Sequence, residues 1–212
     1  MKKRKTNKTI EPKPKTLVFI DESNLSFTAR NSLVNIDYDK FREYLATRAT
    51  IIEAVVYIGM PPKSDTFRGA LLGKENFATL LEKKGFFVVK KYGKPTGDSY
   101  RGQYKSNVDV MMAIDATEWA ITIRPEAVIL VTGDGDFAHL ATKLRRMGIK
   151  VIVAGFVGSN LAEDLKQAAN ETIDLTKAVR KFSMTPSQNS EQPEDIAIDS
   201  ETVATPALPP KK

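Results

Sequence analysis

Cysteine is absent from the 212 residues, and histidine occurs once, at His139. The first absence excludes disulfides, thiolate nucleophiles and cysteine-based zinc sites, and it suits a cytoplasmic protein. The second excludes a multi-histidine metal centre. No apolar run reaches the roughly 18–20 residues that a membrane-spanning helix needs. The opening stretch MKKRKTNKTIEPKPK is basic, but no apolar core follows it, so it does not have the form of a secretory signal. Internal repeats are lacking too.

What remains is a globular composition with an uneven charge. Hydrophobic residues make up 42% of the chain, enough for one domain with a full core. The net charge is +6, yet residues 1–15 alone carry seven Lys/Arg against one Glu. Residues 181–212 carry three Lys/Arg against five acids. A basic arm of this kind attracts nucleic acid electrostatically, or serves only as a solubilising leader. Both ends are rich in Pro, Lys, Ser, Thr or acids and poor in apolar periodicity, so both are expected to be disordered. The expected organisation is a basic arm at 1–15, one domain at 16–180 and a Pro/Ser/acid-rich tail at 181–212.

Within the domain, strand and helix patterns alternate. Strands are expected at 16–21, 51–59, 86–92, 127–132 and 149–156, with a short one at 172–175. Helices are expected at 38–49, 66–85 (with an interruption at Gly73), 108–122, 136–148 and 159–170. Residues 93–106 form a long polar loop, the kind that often carries function. This alternation predicts an α/β, three-layer sandwich with a mainly parallel central sheet, Rossmann-like in architecture. In such folds ligands bind at the carboxyl edge of the strands.

Acids stand at that edge. Asp21 ends the first strand, Asp134 and Asp136 follow the fourth in the stretch LVTGDGDFAHL, and Asp109 opens a helix. Any one of them alone would be explained as a cap or turn residue. Asp115 lies six residues beyond Asp109, about 240° around the helix past one full turn, and so points elsewhere. Four carboxylates on one side of a sheet repel one another unless a cation sits between them. An all-carboxylate set without cysteine or several histidines suits Mg²⁺ or Mn²⁺.

Four stretches together, FIDESN (19–24), VDVMMAIDATEWA (108–120), VILVTGDGDFAHLATKLRRMGIKVIVAGF (128–156) and ANETIDL (169–175), resemble the NYN domain. This is the LabA-like branch of the PIN-like nuclease superfamily, and the resemblance covers residues 16–176. It implies a PIN-like sheet and a Mg²⁺-dependent ribonuclease site. Asp21, Asp109, Asp134 and Asp136 match the family's acidic cluster, and Asn24 matches its polar partner. There are departures: Glu22 stands where glycine is usual, Thr132 replaces serine, Ser106-Asn107 replaces Lys-Gly, and Asn170 replaces an aspartate.

Further candidates are ambiguous. Ser23 and Thr132 contact phosphate or simply hydrogen-bond within their turns. His139 touches RNA or acts as a general acid, or is an ordinary surface or core residue. Trp119 and Phe137 belong to the core rather than to a base-stacking platform. Arg101 and Lys105, interleaved with Tyr100 and Tyr104, suit single-stranded RNA or are a solvated loop.

The leading expectation is therefore a metal-dependent endoribonuclease acting on RNA. The alternative is a catalytically weak regulator on the same fold that binds RNA or a protein partner; a homodimer stays open as well. A haloacid-dehalogenase-type phosphatase fits less well, because Asp21-Glu22-Ser23 lacks an acid at its third position. A Rossmann dinucleotide enzyme fits worse still, because no G-x-G-x-x-G follows the first strand.

Overall fold

Apolar runs rich in Val and Ile, each joined to the next through a helix, pair as parallel strands. The computed structural model describes residues 12–96 and 104–184. Its strands are β1 (Lys15–Asp21), β2 (Thr50–Met60), β3 (Phe87–Tyr92), β4 (Lys94–Pro95), β5 (Tyr104–Lys105), β6 (Ala127–Val131), β7 (Lys150–Gly155) and β8 (Glu171–Asp174). Its helices are α1 (Glu22–Asn31), α2 (Tyr38–Ala46), α3 (Arg68–Lys83), α4 (Val108–Ile123), α5 (Ala138–Arg146), α6 (Glu163–Ala168) and α7 (Leu175–Ala178). Six strands form one sheet in the order β3-β2-β1-β6-β7-β8, and every neighbouring pair is parallel.

Two apolar cores, one on each face, make the three layers. Val18, Ile20, Val56, Ile129 and Ile152 point to the face covered by α1, α2, α3 and α7. Leu17, Phe19, Val55, Leu130 and Val153 point to the other face, under α4, α5 and α6. Helix α4 buries Val108, Met112, Ala116 and Ala120, one residue per turn, which brings it down close against β1 and β2. The expected α/β sandwich is thus the observed one. No helix among the described residues is long and apolar enough to cross a membrane.

Several local expectations change. Helix α1 was not foreseen: ESNLSFTARN buries only Glu22, Leu25, Thr28 and Ala29, too few apolar side chains for a clear period. Helix α3 runs through Gly73 without interruption. The helix expected at 136–148 begins as a 3-10 turn at Gly135–Phe137, with α5 following it. The helix expected at 159–170 shortens to α6, and the long loop contains the antiparallel β4–β5 pair. At the carboxyl end, Phe182 is fully buried against Phe41 and Tyr44, and the Met184 amide donates to the Asn35 carbonyl. Packing therefore continues beyond residue 181.

The strand order reverses at the centre. From β1 the chain steps outward to β2 and β3, then returns to β6 on the other side and steps outward again. A crevice opens at the carboxyl ends of the two strands that flank such a reversal. Those strands are β1 and β6.

Candidate active site

Asp21 closes β1 and caps α1, its Oδ1 accepting from the Asn24 amide at 3.1 Å and the Ser23 hydroxyl at 2.8 Å. Its Oδ2 accepts from the Thr132 hydroxyl, just past β6, at 3.3 Å. The carboxyl group is buried, and burial is the main cause that lifts its pKa to about 6. The Asn24 and Ser23 hydrogen bonds oppose the rise, while the negative charges of Asp109 and Glu22 add to it. No Lys or Arg among the described residues pairs with Asp21.

The reversal point brings the other acids to the same edge. Thr132 also accepts from the Asp134 amide at 3.2 Å, so one hydroxyl links the ends of β1 and β6. Asp134 caps the 3-10 turn, with its Oδ1 accepting from the Asp136 amide at 2.9 Å. Asp109, in the first turn of α4, is half-buried and within electrostatic reach of Asp21. Asp136 is exposed. Asp115 accepts from the Tyr57 hydroxyl at 2.9 Å instead, as the helical angle implied.

Glu22 leaves the cluster. Its carboxylate turns to the Lys74 ammonium at 3.0 Å and accepts from the Ser26 hydroxyl, on the α1–α3 side of the sheet. Burial works against its ionisation, but Lys74 and Ser26 hold the carboxyl below its ordinary value. The extra charge beside Asp21 is thus matched locally. Asn170 likewise lies away from the acids, at the amino-terminal edge, where it pairs with the Val151 backbone through both its amide and its side-chain oxygen.

A network that the sequence did not reveal holds the Gly133–Asp136 loop. Asn24 Oδ1 accepts from the Gly133 amide and from Asn160 Nδ2, both at 2.7 Å. A side chain at Gly133 would collide with the Asn160 backbone, so only glycine permits this approach. Asn160 Oδ1 is buried and has no partner among the described residues. The signal available was a polar GSN turn at the end of β7, 136 residues from Asn24, and no local pattern connects the two.

Other expected contacts divide. Lys105 is exposed on β5, near the same sheet edge. Tyr104 packs edge-on against Phe67 and is a packing residue here. Arg101 and Tyr100 lie outside the described residues. His139 is exposed; Phe137 is buried; Trp119 packs edge-on between Phe19 and Phe87.

Whether these residues suit a divalent cation can be tested on the donors themselves. All are oxygen, which fits Mg²⁺ or Mn²⁺. Among the described residues, however, no group of three or more His, Cys, Asp or Glu is close enough to hold an ion unaided. Mg²⁺ does not require such a cage: it keeps several waters and uses one or two carboxylates plus substrate phosphate. The uncompensated Asp21, with Asp109 beside it, fits a hydrated ion of that kind.

Comparison with known proteins agrees with this architecture. A curated relative, the uncharacterized protein MJ0482 of Methanocaldococcus jannaschii, is 31% identical over 121 residues. That match covers 57% of this chain and 40% of the relative, so the chain spans about two fifths of its length. The crystal structure of VPA0982 from Vibrio parahaemolyticus, a protein of unknown function, is similar over 82% of this chain and 98% of its own. The identity there is 26% and the TM-score 0.62. A family model for the NYN domain matches residues 15–176. The chain belongs to the NYN domain family, within the PIN-like nuclease superfamily.

Proposed function

We propose that this protein is a metal-dependent endoribonuclease whose ion is held by Asp21 and Asp109, with Asp134 and Asp136 completing the site around the phosphate. The observation that carries this reading is Asp21: a buried carboxylate without a cationic partner among the described residues, at the sheet's reversal point, with a second acid beside it. Such a placement destabilises the fold unless something positive binds there. Lewis acidity toward a phosphodiester is what a bound Mg²⁺ or Mn²⁺ supplies.

The chain's own residues do the positioning. Ser23, Asn24 and Thr132 fix the Asp21 carboxylate by three hydrogen bonds, so they act on substrate through that acid. Asn24 and Asn160 clamp the Gly133 amide, which sets where Asp134 and Asp136 stand. Asp136, exposed beyond the cap, faces solvent where a strand of RNA enters. Lys105 offers charge to the RNA backbone; such contacts raise affinity without reading sequence.

The test is incubation of the full chain with labelled single- and double-stranded RNA and DNA, in Mg²⁺, Mn²⁺ or EDTA. Cleavage of single-stranded RNA that requires the metal is expected. Asp134→Asn preserves the oxygen that accepts from the Asp136 amide but removes the charge, and the rate should fall by about 10²-fold or more. Equal cleavage by Asp134→Asn would assign the activity to another site or a contaminant.

The second reading, a catalytically weak RNA- or protein-binding regulator, gains from the lack of a ready-made three-acid group among the described residues. Its signature is RNA binding without cleavage in any divalent metal.

A further inference from the structure

Turning the sheet over exposes a second charged region. At the edge opposite the acids, the α5–β7 turn forms a cleft of about 610 Å³ lined by Thr142, Arg145, Arg146, Ile149, Lys150 and Asn170. No acidic side chain lines it among the described residues. Basic residues in the last turn of α5 complement the helix dipole, which accounts for some of this charge. It does not account for how the charge is left. Arg145 Nη1 donates to the Ala168 carbonyl at 2.9 Å, a neutral acceptor that orients the guanidinium without cancelling it. Arg146 is exposed and makes no hydrogen bond or ion pair among the described residues. Lys150 pairs with Glu171 at 2.8 Å, but Glu171 is shared with Arg48 at 3.4 Å, so one carboxylate serves two cations.

Strand β1 begins along this edge. Thr16, Ala127 and Lys150 lie in one row across β1, β6 and β7. The start of β1 is therefore about 10 Å from Lys150, two strand spacings away. Arg145, Arg146 and Lys150 gather at the amino-terminal edge, while Asp21, Asp134 and Asp136 stand at the carboxyl edge.

We propose that the cleft of Arg145, Arg146 and Lys150 is a second nucleic-acid contact that takes the phosphodiester backbone of RNA. This rests on RNA being the protein's ligand. The cleft holds a part of the strand remote from the cut: β1, seven residues long, separates the two edges by roughly 20 Å. At about 3.4 Å per stacked nucleotide, only an RNA longer than about six nucleotides can occupy both. Long substrates thereby gain affinity that short ones do not, without any effect on the chemistry at Asp21.

The experiment is fluorescence anisotropy of the full chain with a labelled 20-nucleotide single-stranded RNA in EDTA, between 50 and 200 mM salt. Arg145→Ala/Arg146→Ala should weaken binding several-fold at 50 mM and lower the slope of log K against log salt by about 1.4, two phosphate contacts' worth. Arg146→Glu, at a side chain with no bond to lose, should act in the same direction and excludes misfolding as the cause. Lys83→Ala/Lys177→Ala removes equal charge from the other face and should leave the slope unchanged. Cleft variants that bind like the wild type, or no more weakly than this control, overturn the proposal, as does a wild type that binds no RNA. If the wild type cleaves and the cleft variants bind normally, the cleft is rejected and the nuclease stands. If the cleft variants bind weakly and no metal supports cleavage, the nuclease is rejected and the cleft stands.

Discussion

Asp21 is the residue whose chemistry reaches furthest. A carboxyl that titrates near 3.8 in the unfolded chain and about 6 in the folded one binds a proton more tightly when folded. Its contribution to stability is therefore full below pH 4, declines as pH rises through 6, and stays low above it. Two units correspond to about 3 kcal/mol. Asp21→Asn retains the oxygen that receives the Asn24 and Ser23 hydrogen bonds and removes the charge. In EDTA its melting temperature should exceed the wild type's by an amount that grows from pH 4 to pH 6 and then levels. Mg²⁺ or Mn²⁺ should raise the wild-type melting temperature above pH 6 and leave Asp21→Asn unmoved. A constant difference across that pH range would show that Asp21 is not the strained group. This residue was legible in the sequence because an acid ending an apolar strand is a local pattern. Asn160 was not, because its meaning lies entirely in its contact with Asn24 and Gly133.

Between residue and fold, α1 and α3 illustrate what local pattern conceals. Helix α1 follows Asp21 without a break, and its first residue, Glu22, would be an unpaired buried charge were it not for Lys74 in the middle of α3. Both side chains are nearly inaccessible, so neither can fall back on water. Lys74→Ala should cost about 3 kcal/mol or more, since it strands the Glu22 carboxylate. The paired replacement Glu22→Gln/Lys74→Met should recover most of that loss, measured by chemical denaturation. If the double variant is as unstable as the single, the pair is held by packing rather than by charge. A polar helix carrying a buried acid has no apolar period, which is why 22–31 was silent, whereas α4 and α5 announced themselves by spacing. Gly73, read as a break, is simply tolerated because α3 packs Phe77, Ala78 and Leu81 after it.

At the scale of the whole molecule, alternation of strand and helix was enough to foresee three layers and a parallel sheet. The order β3-β2-β1-β6-β7-β8 was not foreseeable, since nothing local says on which side of β1 the chain returns. The carboxyl boundary failed for a related reason: Phe182 sits in polar surroundings in the sequence and in the core of the fold. Truncation after residue 181 should destabilise by about 3–5 kcal/mol, as a buried phenylalanine does when removed. Truncation after 184 should be nearly neutral, and thermal melting of the two chains separates these outcomes. The return of the chain to β1 also sets a clock. Thr132 is 111 residues beyond Asp21, and β6 flanks β1 directly. At roughly 5–20 residues per second, β1 waits on the order of 5–20 s during synthesis before its second neighbour exists. Until then one side of β1 has no strand beside it, and the acids at this edge belong to separate pieces of chain. A ribosome therefore assembles this edge late: Asp21 waits for 111 further residues before Thr132 can reach it.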